Sequence, residues 1–188
     1  MIDMDRKKII EGVRLILEGI GEDPDREGLA LTPERIAEAY SEIFSGVGTS
    51  AVKEIQLFNA ENNDEMIIVK DIPFYSMCEH HLLPFFGFAH IAYIPSGNRV
   101  TGFSSLVRLI ESAARRPQLQ ERLTVQVCDM LMQTLEPLGV LVLIEAEHLC
   151  VTMRGVKKAG TKTVTSAMRG GLRREATRME ALNLIRGA

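Results

Sequence analysis

Apolar residues in this chain recur first at helical spacing, then at strand spacing, then at helical and again at strand spacing, and few folds accept that succession. Ile9, Val13, Ile16, Leu17 and Ile20 form one stripe over residues 5–20, ended by Gly19 and Gly21. The polar, Pro/Gly-punctuated run that follows reads as a loop. Thr32-Pro33 predicts an N-cap followed by proline at the first helical position. Ile36, Ala39, Tyr40, Ile43 and Phe44 then make a second stripe, closed by Gly46. From Met66 the residues turn β-branched and aromatic, in MIIVKDIPFYSM and FFGFAHIAYIP, with a turn at 95–98; two strands are predicted. Between Ser104 and Leu135 the helical period returns, divided by Pro117. Residues 139–154 predict one long strand, 161–168 another, and 173–186 a charged closing helix. The predicted fold is α+β, with helices on one face of an antiparallel sheet. A helical segment, 1–64, precedes a unit over 65–188.

At 188 residues the chain can bury the core of one domain. Its 46% apolar and 25% charged residues exclude a disordered or collagenous chain. No apolar run approaches the roughly 18–20 residues of a membrane span, and the first 20 residues mix acids among the apolar ones, unlike a signal peptide. The expectation is a cytoplasmic protein with no membrane partner. The net charge of −3 hides an asymmetry: 13 basic and 23 acidic side chains up to residue 153, then 9 and 2 from residue 154. Such a cation-rich end is either a solvated helical face or a wall for phosphates. Net acidity argues against a general nucleic-acid binder.

The densest chemical signal is Cys78-Glu79-His80-His81, joined at a distance by His148-Leu149-Cys150. Zinc favours thiolate and imidazole, and a catalytic zinc keeps three protein ligands and an open position. On one continuous strand, His148 and Cys150 would face the same side of the sheet. Cys78 and His81, three apart, would not, so a turn or bulge is expected there. Cys128, inside an amphipathic helical stretch, reads as a buried inert thiol, and His90 as a satisfied core or edge histidine. Three cysteines cannot all pair within one chain, and a reducing cytosol leaves them as thiols. The spacing is not that of a zinc finger, and on pattern alone a metal site and buried thiols stay open together.

The stretches SMCEHHLLPFFGFAHIAYIP, RRPQLQERLT, EAEHLCVTMRGV and TVTSAM resemble GTP cyclohydrolase I, and GEDPDREGLALTPERIAEAY resembles that family's N-terminal helical segment. The resemblance implies a tunnelling fold, in which four-stranded sheets of several subunits join into a barrel. It also implies a homodecamer of two pentameric rings with active sites between subunits. Carried over by motif, Cys78, His81 and Cys150 are the zinc ligands, and His80 and His148 the acid/base histidines. The implied reaction is hydroxide attack at C8 of guanine, ring opening, release of formate, and an Amadori rearrangement of the ribose. Reclosure gives 7,8-dihydroneopterin triphosphate. Glu121 matches the guanine-recognising glutamate, with Gln120 beside it among the substrate contacts. A carboxylate there accepts from both the ring N–H and the exocyclic amine of guanine, which adenine cannot reproduce. Without the resemblance Glu121 reads as a solvated helix residue. Ser104 matches a serine near the ribose, and otherwise reads as a helix N-cap. Arg35, Arg108 and Arg154 match arginines that hold the triphosphate of GTP.

One position departs from the family. Gly-Leu-Ser-Lys is usual where this chain reads Gly102-Phe103-Ser104-Ser105, so a phosphate-binding lysine is missing. Two other readings therefore stand beside a GTP cyclohydrolase: a paralogue acting on another purine nucleotide or stopping at an intermediate, and a non-catalytic scaffold stabilised by zinc. His80 and His148 speak against the scaffold, because a closed structural site needs no free histidines beside it.

Overall fold

A computed structural model describes residues 4–60 and 65–187. The first helix, α1 (Arg6–Gly19), starts at Asp5, whose carboxylate accepts from the Lys8 N–H at 3.1 Å. It packs on α2 (Thr32–Ile43). Only Val13 of the first stripe is buried; Ile16 and Ile20 remain 64% and 70% exposed. The expected cap at Thr32 is corrected: Thr32 lies inside the helix, Leu31 holds the cap position without a side-chain bond, and Pro33 alone supplies the start signal.

The four long strands follow one another along the chain as predicted and form one antiparallel sheet. Strands β2 (Ile67–Cys78), β3 (Pro84–Ile94), β6 (Gly139–His148) and β7 (Lys162–Gly170) are neighbours in that sequence and antiparallel throughout. A two-residue strand, β5 (Pro117–Gln118), adds in parallel to the end of β2, pairing Cys78 with Gln118. A separate ribbon of β1 (Leu57–Asn59) and β4 (Arg99–Thr101) has no counterpart in the sequence reading, since three-residue strands are too short to show a period.

Helices α3 (Phe103–Ala114) and α4 (Gln120–Leu135) cover one face. Alternation along β6 sorts the two sides: Val140, Val142 and Ile144 join Leu106, Leu109, Ile110, Leu123, Val127 and Leu131 in the main core. Leu141 packs instead with Leu172, Ala181 and Ile185, so α6 (Glu175–Arg186) covers part of the opposite face. The expectation of a single covered face is thereby extended to a second, smaller layer. Cys128 is buried in the main core, its thiol pushed up to about 11 by burial, which agrees with an inert role. His90 is also buried, and its Nδ1 accepts the Asp71 N–H at 3.1 Å across a bulge between Val69 and Ile72.

The predicted long strand is corrected at its end. β6 stops at His148, and Leu149–Thr152 forms a single helical turn, α5. His148 and Cys150 therefore do not share a strand face; the turn brings Cys150 toward the end of β2 by another route.

Candidate active site

The end of β2 turns back on itself at once. Leu82 N–H donates to the Cys78 carbonyl at 2.8 Å, Cys78 N–H donates to the Leu83 carbonyl at 2.9 Å, and Leu82 takes a positive φ of 50°. This is the turn that the Cys78/His81 spacing required. Glu79 N–H donates to the Gln118 carbonyl at 3.1 Å, tying the turn to β5, and the Glu79 carboxylate pairs with both terminal nitrogens of Arg122 on α4, Oε1 to Nη2 at 3.0 Å. That ion pair holds the Glu79 carboxyl below its ordinary range, chiefly through the Arg122 hydrogen bond.

Turn and helical turn meet. One ligand atom each from Cys78, His81 and Cys150 lies within 4.8 Å of the others. Cys78 is buried, Cys150 half-buried and His81 exposed, so the cluster opens to solvent on the imidazole side. Burial, with the Cys78 thiol beside it, pushes the Cys150 thiol up. Two sulfurs and one imidazole in this arrangement could hold a metal ion, whose charge would favour the thiolates. Arg154 reaches over the same cluster, its Nη1 3.1 Å from His81 Nε2.

His148 sits beside the cluster as the last residue of β6. Its ring stacks on Phe85, centroids 4.7 Å apart and planes 2° from parallel. Nε2 meets Gln120 Oε1 at 2.7 Å. Burial lowers its pKa, partly offset by the Glu121 carboxylate. His80 is exposed, its ring edge-on to His81 at 6.3 Å. Glu121 is exposed in the first turn of α4, whereas Gln120 is 1% exposed and its amide is consumed by internal hydrogen bonds.

The remaining candidates lie elsewhere. Ser104 is exposed in the first turn of α3, where Gly102 rather than Ser104 holds the cap position. Arg108 follows it by one turn and pairs with Glu54 at 3.5 Å. Ser105, in the place of the family lysine, is turned inward and 2% exposed; its hydroxyl accepts from the Gln56 N–H and from Arg108 Nη2, both at 3.4 Å. The opposite end of α3 is the one near the cluster, since the Ala114 carbonyl accepts from Ser76, two residues before Cys78. Ten residues of helix separate Ser104 from Ala114, about 15 Å. Arg35 is exposed on α2. One chain thus gathers Cys78, His80, His81, Glu121, His148, Cys150 and Arg154, and holds Ser104 and Arg108 apart from them.

Two features escape a reading of the sequence: the Glu79–Arg122 clamp and the Phe85 stack. The stack could have been found from the pairing of β3 with β6, because Phe85 stands directly opposite His148.

The sequence pattern of GTP cyclohydrolase I matches residues 9–186. The chain belongs to the GTP cyclohydrolase I family. GTP cyclohydrolase 1 of Pelotomaculum thermopropionicum is 60% identical over 184 residues, covering 97% of this chain and 98% of the relative. The protein of the same name from Clostridioides difficile is 58% identical over 187 residues and 98% of each chain. That of Halalkalibacterium halodurans is 55% identical over the full length of both. The antiparallel sheet with α3 and α4 on one face is the tunnelling fold of this GTP cyclohydrolase family. No helix among the described residues is long and apolar enough to cross a membrane.

Proposed function

We propose that the protein is a zinc-dependent GTP cyclohydrolase I, opening the guanine imidazole ring of GTP, releasing formate and forming 7,8-dihydroneopterin triphosphate. The observation that carries this reading is the Cys78/His81/Cys150 cluster with His148 beside it, in a chain of this family. Three ligands of sulfur and nitrogen suit zinc and leave a position open, unlike a closed structural site. When bound, zinc supplies Lewis acidity and a water whose pKa falls to about 7.

The chain's own residues do the rest. His148 and His80 hold and move protons at the ring atoms. Glu121 accepts from the guanine N–H and exocyclic amine, Ser104 meets the ribose, and Arg154 with Arg108 and Arg35 binds the triphosphate. Ser104 lies about 15 Å, and Arg108 about 9 Å, along α3 from the end that approaches the cluster. In this reading the protein is a homodecamer with sites between subunits, so that Ser104 and Arg108 of one chain can serve the cluster of another. The exposed apolar side chains of α1, Leu15, Ile16 and Ile20, are surface that self-association would cover. In this reading residues 1–64 form the N-terminal helical segment and 65–188 the catalytic unit, working in the cytoplasm without nucleic acid or membrane.

The test is incubation of the purified, zinc-loaded protein with GTP, following formate and the fluorescence of the oxidised pterin. Both should appear in equal amounts. Product from another purine nucleotide and none from GTP would replace this reading with the paralogue that Ser105 motivates. No product from any would leave the scaffold.

A further inference from the structure

Gln120 opens α4 with its side chain buried beneath the sheet's end. Its Nε2 donates to the Ile144 carbonyl at 3.0 Å, the Thr163 carbonyl at 3.0 Å and Thr165 Oγ1 at 3.1 Å. Carbonyl oxygens only accept, so they fix which end of the amide faces them. The flipped amide would set Oε1 against two carbonyl oxygens, acceptor against acceptor, in a buried place where that repulsion and the lost hydrogen bonds are costly. The hydroxyls agree with this orientation. Thr124 Oγ1 donates to the Gln120 carbonyl at 2.7 Å, so the 2.7 Å contact between Thr124 and Thr165 takes its hydrogen from Thr165, which turns a lone pair toward Gln120 Nε2.

Gln120 Oε1 is therefore the atom that meets His148, and it too only accepts. At 2.7 Å, His148 Nε2 must carry the hydrogen. Phe85, stacked on the ring, keeps its plane. Among the described residues Nδ1 makes no hydrogen bond.

We infer that Gln120 is a positioning residue that holds His148 as its Nε2–H tautomer, so that Nδ1 is the ring nitrogen left without a protein partner. The inference rests on the reading of His148 as an acid/base group. It also moves Gln120 from contacting substrate to orienting the residue that does. The Nε2–H···Oε1 bond fixes which edge of the ring faces Gln120, and the Phe85 stack fixes its plane, so Nδ1 is held in one direction.

The test uses zinc-loaded enzyme labelled with 15N-histidine, the His148 signals being identified by their loss in His148→Ala. In the neutral ring, Nε2 should show the protonated shift and Nδ1 the unprotonated one. Gln120→Met, similar in size but without the acceptor, should give a mixture of tautomers and lower kcat about 10- to 100-fold, with KM for GTP and zinc content unchanged. Nδ1–H as the main form in the wild type would overturn the inference, and that spectrum decides even where Gln120→Met does not fold. A wild-type tautomer or an unchanged kcat in Gln120→Met would overturn it as well. Near wild-type turnover in His148→Ala would instead remove the acid/base reading, without touching the tautomer.

Discussion

At the scale of single residues, thiols and imidazoles in this chain differ by their surroundings. Cys150 faces a second thiol and an imidazole, whereas Cys128 faces only core. Cys150→Ala should therefore cut bound zinc from about one per chain to a small fraction, and Cys128→Ala should leave it intact, by metal analysis after dialysis. Full zinc in Cys150→Ala would remove it from the ligand set. His90 gives a stability prediction with a definite sign. Its pKa is lowered by burial, against the raising effect of Asp71 and Glu145, with Lys70 lowering it further. Its Nδ1 already accepts the Asp71 N–H, and protonation would break that bond. Above a pH of about 6.5 the ring is neutral in folded and unfolded chains alike, and adds no pH dependence. As pH falls from there toward the folded-state value, only the unfolded chain gains the proton, so stability declines. His90→Gln should flatten that part of the thermal midpoint against pH. An unchanged slope would assign the decline to other groups.

At the scale of elements, β3 and β6 approach so closely at Gly87 that a Cβ there would lie 2.0 Å from the Glu145 carbonyl oxygen. No flexible side-chain end can yield, because the obstacle is backbone. Gly87→Ala should destabilise by about 1–3 kcal/mol or more, read from denaturant midpoints, and should loosen the Phe85–His148 pairing two residues away. Wild-type stability would mean that the strands can part without loss. The four long strands were legible, because each carries a β-type run bounded by turn residues. The end of β6 was not, since His148-Leu149-Cys150-Val151-Thr152 keeps a strand-like composition while folding as a helical turn. The Cys78–His81 turn was legible for a geometric reason: a spacing of three cannot put both residues on one face of a strand. The burial of Gln120 was not legible, because its partners, the carbonyls of Ile144 and Thr163, come from strands far along the chain.

At the scale of the whole molecule, the proposed site draws on residues that stand at different places in one chain. His148 stands with the Cys78/His81/Cys150 cluster, while Arg108 sits at the middle of α3 and pairs with Glu54. If one chain's cluster works with another's Arg108, subunits defective in different halves should rescue each other. His148→Ala and Arg108→Ala enzymes, each assayed near the low GTP concentrations where phosphate contacts govern rate, should both be poor catalysts alone. Dissociated, mixed in equal amounts and reassembled, they should regain about a quarter of wild-type activity, because random pairing in a closed ring joins two intact halves at about one site in four. Sites made within a single chain could never combine the intact halves. Activity of the mixture equal to the mean of the two parents would therefore place Arg108 and His148 in a site made within one chain, whereas recovery would show that this fold becomes an enzyme only where two copies meet.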